Sequence, residues 1–418
     1  MRSTESFSRS TLASDQIKKT IDAAAERGFQ AISFNGGEPL LDLPRLTELI
    51  RHAGEAGMNY IRTGTNGFMF RYPEKPDFSD RVSRMVDMLA QTPLRNFWIS
   101  LDSSVAEVHE KMRGFPRVVA GIAKALPIFH ASGIYPAVNL GINRNVGGLS
   151  THRLRRGDAA SNDAYLERFY HRYRSAFERF YQRALDLGFT MANTCYPMSI
   201  DIPETDQGLS AVYAATTVDD IVRFAPDEKR MLFKALIATI SRFRSKLRIF
   251  SPISSLEALV RRYGSEAVKT EAYGCRGGID FFFINAADGN VYPCGYRGHD
   301  RFGRLENLDL KQLRPPADAE ACRQCDWECF RDPSELFGPL LEMFSNPLAL
   351  VRRMVLNPGT LGTWMTDIRY YQACDFFNGR QPPDNKRLSR FEAATVKSSD
   401  RSTIFYDYGE SNRKLSVS

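Results

Sequence analysis

One unit recurs along the first third of this chain: a helical segment, a glycine or polar turn, a short β-branched and aromatic strand, then a polar loop. In the first copy Ile17, Ile21 and Ala24 fall at helical spacing, and Gly28 stops the helix. The strand is Gln30–Phe34 and the loop is Asn35-Gly-Gly-Glu-Pro39. The second copy predicts a helix over Leu43–Ala56, a strand over Asn59–Thr63 and the loop Gly64–Gly67. The third predicts Ser79–Ala90, Asn96–Leu101 and the loop Asp102-Ser-Ser. The fourth predicts Arg117–Ala131, Tyr135–Gly141 and the loop Ile142–Asn145, and a fifth strand is expected over Phe189–Cys195. Strands alternating with helices at this period imply right-handed βαβ crossovers and a parallel sheet. Polar residues collect just after each strand, at the edge where parallel α/β architectures build their sites. The expected fold class is therefore α/β, with a barrel, open or closed, preferred to a flat sheet.

Further along, the pattern changes. From about residue 150 to 186 a charged, aromatic helical stretch is inserted, placed to line or cover the site. Its run Arg168–Arg183 reads as a basic surface helix rather than a nucleic-acid contact. Leu232, Leu236, Ile240, Phe243 and Leu247 mark an amphipathic helix. A strand-like Arg248-Ile-Phe and a helix near Leu256–Tyr263 follow. Ile279–Asn285 and Asn290–Cys294, joined through Asp288-Gly289, predict a β-hairpin. Beyond Cys374 the chain turns polar, and its last stretch is expected to be flexible.

Six of the seven cysteines lie between Cys275 and Cys374. Cys275 and Cys294 would meet at the open end of the hairpin, and Cys322-x2-Cys325-x3-Cys329 follows, with Cys374 further on. A CxxC puts two sulfurs on one tight turn, so such a set can converge on one metal or one iron–sulfur cluster. A structural zinc site with four thiolates is the simpler alternative. The 418 residues contain no apolar run long enough for a membrane span and no secretory signal at the N-terminus. A cytoplasmic location is expected, with no membrane partner. There, clustered thiols bind metal more often than they form disulfides. A net charge of +7 is modest for this length and does not call for a nucleic-acid partner.

In the loop Asn35–Pro39, the glycines permit positive φ and close approach of a ligand. Their amides suit an anionic group, and Glu38 suits an ammonium, which together describe an amino-acid head group. The ordered set of loops carries a resemblance. Phe34-Asn-Gly-Gly-Glu-Pro39, Thr63-Gly-Thr65-Asn66-Gly67, Trp98-Ile-Ser100-Leu-Asp102 with His109-x3-Arg113-Gly114, and Val138-Asn-Leu-Gly-Ile-Asn143-Arg-Asn145 follow the four strands in turn. In order and spacing they resemble the radical S-adenosylmethionine superfamily. The region Cys275–Cys329 is similar to that superfamily's SPASM and twitch extensions.

The resemblance implies a partial parallel (β/α)6 barrel lacking its first strand, plus a small cysteine-rich domain. It implies that Gly36, Gly37 and Glu38, with Pro39 in the same loop, hold the methionyl amino group of S-adenosyl-L-methionine. Ser100 and Asp102 would lie near its ribose, with Asn143 on the neighbouring strand and Thr65 and Asn66 on the floor. A 4Fe–4S cluster would split the sulfonium, and the 5′-deoxyadenosyl radical would abstract hydrogen from substrate. Cys275, Cys294, Cys322 and Cys325 would complete one auxiliary 4Fe–4S cluster. Cys329 and Cys374 would replace a ligand, support a second, open cluster, or remain ordinary thiols. The implied substrate is a peptide or small molecule in natural-product modification, and the implied reductant is a flavodoxin or ferredoxin.

One landmark of the superfamily has no counterpart. Its CxxxCxxC loop follows the first barrel strand, and no cysteine precedes Cys195 here. Either the sequence begins late, at an internal methionine, or the cluster has been lost. An unpartnered parallel core strand would expose backbone donors and an apolar face, which favours the late start. The chain as it stands is expected not to cleave the cofactor. The alternative function is a non-catalytic binding or scaffold protein with a structural C-terminal metal site. The expected division is 1–200 for the barrel, 201–269 for a helical connector, 270–335 for the auxiliary region and 336–418 for a C-terminal helix and tail.

Overall fold

The structure, a computed structural model, describes residues 12–197, 220–264, 273–313, 322, 325–356 and 358–392. Six parallel strands, β1 (Ala31–Phe34), β2 (Tyr60–Thr65), β3 (Leu94–Ser100), β4 (Ala137–Gly141), β5 (Met191–Cys195) and β6 (Arg248–Ile249), pair in sequence order. Helices α1 (Ser14–Glu26), α2 (Leu43–Glu55), α3 (Phe78–Ala90), α4 (Ala106–Arg113), α5 (Val118–Ala131), α6 (Asn162–Leu187), α7 (Pro226–Phe243) and α8 (Ile253–Arg262) accompany them. The α/β parallel architecture expected from the alternating units is present. The sixth strand is supplied by the strand-like Arg248-Ile.

Alternation along the strands decides which face meets the helices. Ile61, Thr63, Phe97, Ile99, Val138, Leu140, Ala192 and Thr194 are all fully buried in the layer under the helices. The opposite face carries Arg62, Trp98, Asn139, Asn193 and Cys195, so the inner wall of the curved sheet is polar. Two close approaches fix the wall and its helices. Gly64 lies against the Trp98 ring, and Gly121 of α5 lies against the Phe70 carbonyl, where a Cβ would come within 1.8 Å of the oxygen.

The charged, aromatic stretch read as an insertion is instead the β4-to-β5 crossover helix, α6. Its Ser161 hydroxyl caps the Ala164 amide (3.2 Å), and Gly188 ends it at φ +101°. Tyr165, Phe169, Tyr173 and Phe177 recur every four residues and are buried, so the stripe holds α6 against its neighbours instead of leaving it over the site.

The cysteine-rich part begins with β7 (Phe283–Ile284) and β8 (Val291–Tyr292), an antiparallel pair shorter than the sequence suggested. Gly289 at φ +68° closes the turn by donating to the Asn285 carbonyl (2.7 Å). Helices α9 (Glu328–Ser345), α10 (Pro347–Leu356) and α11 (Pro358–Cys374) follow. The segment after α11 closes the N-terminal end of the strands. There the Gly379 amide donates to the Arg95 carbonyl (2.9 Å), and Phe377 meets Tyr60 edge-on with centroids 5.4 Å apart. Among the described residues no helix is long and apolar enough to cross a membrane. The tail expected to be flexible lies from residue 393 onward, outside the described residues.

Candidate functional site

The loops after β1 to β4 form one rim at the C-terminal ends of the strands. After β1, Gly36 and Gly37 take φ +100° and +51° with open space where a Cβ would stand. Backbone conformation, not crowding, therefore demands glycine there. The Glu38 carboxylate accepts the Leu40 amide (3.2 Å) on one oxygen and the Asn66 amide (2.7 Å) on the other. It thus caps the turn Pro39–Asp42 and ties the first loop to the second. Burial pushes Glu38 above its ordinary 4.5, while those amides, Thr65 and the Arg113 charge pull it back. In the second loop Thr65 accepts the Gly67 amide (3.1 Å) and Asn66 accepts the Phe68 amide (2.9 Å).

Half-buried Ser100 ends β3. Asp102, 4% exposed, takes the Arg113 guanidinium on both oxygens. Burial opposes its ionisation, but Arg113 wins and holds Asp102 far below the usual carboxylate range. The Asp102 amide donates to His109 Nδ1 (3.1 Å), leaving His109 Nε2 buried without a partner. Asn143 donates to the carbonyls of Asp102 (2.8 Å) and Gly141 (2.7 Å) and accepts the Asn145 amide (2.7 Å). Arg113 also lies within electrostatic reach of Glu38 and Cys195, so one guanidinium sits amid three strand ends. The structure therefore brings Gly36, Gly37, Glu38, Thr65, Asn66, Asp102 and Asn143 onto a single rim. The carboxylates there hold the rim itself together, and the Gly36–Gly37 backbone is exposed.

The C-terminal thiols divide into three places. Cys275, Cys294, Cys322 and Cys325 lie within electrostatic reach of one another. Three sulfurs accept the backbone amide two residues on: Cys275 from Gly277 (3.4 Å), Cys294 from Tyr296 (3.4 Å) and Cys325 from Trp327 (3.3 Å). Arg297 donates to the fourth, Cys322 (3.5 Å). Donors of this kind stabilise thiolate and tune a bound cluster. Without a cation, burial pushes Cys294 up to about 12 and Cys325 well above its ordinary value. Among the described residues no three His, Cys, Asp or Glu side chains converge closely enough to hold a metal ion. The four thiols are gathered, with amides aimed at them, but are not closed on a centre.

Cys329 stands apart from these four, with Cys195 and Glu328 on the inner side of β5. There Cys195 donates to Asn139 (3.4 Å) and Glu328 accepts the Tyr196 amide (3.1 Å). Cys374 lies elsewhere again, buried with Tyr370, Phe376 and Leu388 below β6. Arg113 belongs to the third loop pattern with no role evident from the sequence, and nothing in the sequence singles out Glu328. The i+11 spacing of Asp102 and Arg113 signals nothing by itself. Only α4 brings that arginine back over the strand end.

An α/β sheet of parallel strands with its polar groups at one strand-end rim defines the class to which comparisons can be set. No family model matches the chain. It is 23% identical over 339 residues to an AdoMet-dependent heme synthase of Methanosarcina barkeri, covering 80% of each chain. It is 22% identical over 329 residues to an AdoMet-dependent heme synthase of Oleidesulfovibrio alaskensis, covering 78% of this chain and 71% of that one. Both relatives are, by name, dependent on S-adenosylmethionine.

Proposed function

We propose that the protein binds S-adenosylmethionine at the rim of β1–β4 and belongs to an enzyme that abstracts hydrogen from substrate. The observation carrying this reading is the Glu38 carboxylate, which locks the loop after β1 to the loop after β2 and presents the open Gly36–Gly37 edge. In this reading the Gly36 and Gly37 backbone and the Glu38 carbonyl receive the methionyl head group. Ser100 meets the ribose, and Asp102, Arg113 and Asn143 keep the neighbouring loops in register.

When bound in such enzymes, a reduced 4Fe–4S cluster splits the sulfonium and yields a 5′-deoxyadenosyl radical. Residues 1–194 carry no cysteine, so they offer no thiolate ligands for that cluster. The donor set does suit an auxiliary cluster: four gathered thiols, three with an amide at the sulfur and one with a guanidinium. Cys275, Cys294, Cys322 and Cys325 would hold it, and Cys195, Glu328 and Cys329 would line the inner wall near the substrate. The relatives' name supports a substrate on the heme side ahead of the peptide suggested by the wider superfamily.

Binding tests the reading without requiring cleavage. Titration calorimetry with S-adenosylmethionine is expected to show one saturable site that is lost in Gly36→Val or Gly37→Val, both folded by circular dichroism. A chain that takes up no cofactor, or valine variants that bind as well as the parent, would end the proposal. Iron and sulfide analysis after anaerobic reconstitution tests the thiols, because stoichiometric zinc without sulfide would select the structural site instead.

A further inference from the structure

The opposite end of the barrel carries a feature the rim does not use. At the N-terminal ends of β2 and β3 lies a cleft of about 650 Å3, lined by Arg51 and Glu55 of α2, Asn59, Arg95 of β3 and Arg380 after α11. Arg380 is anchored there: its amide donates to Asn378 (3.1 Å) and its Nη2 to the Ala90 carbonyl (3.0 Å). Its Nη1 is buried with no partner. Burial and then the neighbouring Arg95 charge press the Arg380 guanidinium below its ordinary value. None of the three arginines makes an ion pair among the described residues. Three guanidiniums and one carboxylate leave two uncompensated positive charges around one cleft.

Such an arrangement favours an anion in the cleft. Like charges held around one cleft repel, and an anion bound among them relieves that repulsion. The planar guanidinium fork matches phosphate oxygens, and the positive excess around the cleft suits a phosphate. The volume falls in the range of small-molecule sites. A second cleft of about 420 Å3 shares Asn59 and Arg95 and adds the rings of Tyr60 and Phe377, with Asp375 at its edge. Its rings offer an apolar seat for whatever the phosphate is attached to.

We propose that this N-terminal face is a binding site for a small phosphate monoester, its phosphate on Arg51, Arg95 and Arg380 and its organic part against Tyr60 and Phe377. The site lies at the far end of the strands from the S-adenosylmethionine rim and does not depend on that reading.

The test is titration of the whole chain with inorganic phosphate, phenyl phosphate and benzyl alcohol, none of which carries an adenosine that would enter the other site. Phenyl phosphate is expected to bind saturably and more tightly than inorganic phosphate, with no measurable binding of benzyl alcohol. Arg51 and Arg95 are exposed, so R51Q and R95Q are expected to fold as the parent does. Each is expected to weaken phenyl phosphate binding about tenfold, the loss of one charge-assisted contact. R380Q is expected to weaken it at least as much, and S-adenosylmethionine binding is expected to be unchanged in all three. No saturable phosphate binding, binding indifferent to R95Q and R380Q, or benzyl alcohol binding as tightly as phenyl phosphate would overturn the proposal.

Discussion

At Glu38 a single carboxylate serves two loops, and its ionisation state sets what the rim can do. Ionised, it accepts amides on both oxygens. Protonated, it gains an O–H that faces donors and loses an acceptor. Burial raises its folded pKa above 4.5, so the proton returns at higher pH than in the unfolded chain. For an acid shifted upward, the contribution to stability declines as pH rises through that interval, while the charged form needed for the rim gains population. Affinity for S-adenosylmethionine is therefore expected to fall on acidification, beginning above the usual carboxylate range. Glu38→Gln, which leaves one amide facing an NH2 group, should bind weakly at every pH and erase the dependence. Calorimetric titrations from about pH 7 down to pH 5 check both. Asp102 is the opposite case. Asp102→Asn leaves the Arg113 guanidinium beside the rim without its countercharge, and urea unfolding at neutral pH is expected to show a loss of about 3–5 kcal/mol. Thiols separate by place as well. Cys294→Ser should lower the iron and sulfide retained after reconstitution, and Cys374→Ser, removed from a separate apolar cluster, should not.

Among the elements, α5 illustrates why some contacts admit one residue only. At Gly121 a Cβ would collide with the backbone oxygen of Phe70, which cannot rotate away as a side chain could. Gly121→Ala is expected to lower stability by about 1–3 kcal/mol or more through forced separation of α5 from the β2–α3 connection, read as a shifted urea midpoint. The four repeated units were legible because a helical period gives way to a strand, and Gly28, Gly57, Gly133 and Gly188 adopt the positive φ that their positions at helix ends suggest. The hairpin was legible from Asp288-Gly289, though its neighbours form only short strands. What escaped was set by tertiary partners. α6 carries enough arginine to read as an exposed cover, yet its aromatic stripe is buried, because period and not composition decides which side faces inward. Helix α4 has no apolar period to announce it, since its eight residues carry only one buried side chain, His109. The division of the thiols was invisible for the same reason: Cys329 is only four residues from Cys325, but the start of α9 carries it to the inner wall beside Cys195.

On the scale of the molecule, the cysteine-rich part joins the barrel through shared apolar core, Val291 and Leu305 included, and through buried charge. Asp326 is fully buried and receives Lys229 of α7 (3.0 Å) and Arg262 of α8 (3.1 Å), with the Tyr263 hydroxyl donating as well. One residue on, past Trp327, α9 begins and sends Asp332 to Tyr196 (3.0 Å) and Ser255 (2.6 Å). The position of the Cys325 sulfur thus depends on an ion pair adjacent to it in sequence. Burial opposes the charge on Asp326, but Lys229 and Arg262 outweigh it and lower its pKa. An acid shifted downward stabilises the fold above its unfolded pKa of about 3.9, and that contribution drains away as pH falls from there toward the folded value. Wild-type stability in urea is accordingly expected to drop steeply below about pH 4. Asp326→Asn should lose about 3–5 kcal/mol at neutral pH, because Lys229 and Arg262 stay buried without their countercharge, and should show a shallower acid limb. Hydrogen exchange locates the effect. Amides of β7, β8 and the first turns of α9 should exchange faster in the variant while those of β2–β4 keep their protection, because the severed tie lies between the two parts. Uniform acceleration across both would show instead that the sheet and the cysteine-rich part unfold as one unit.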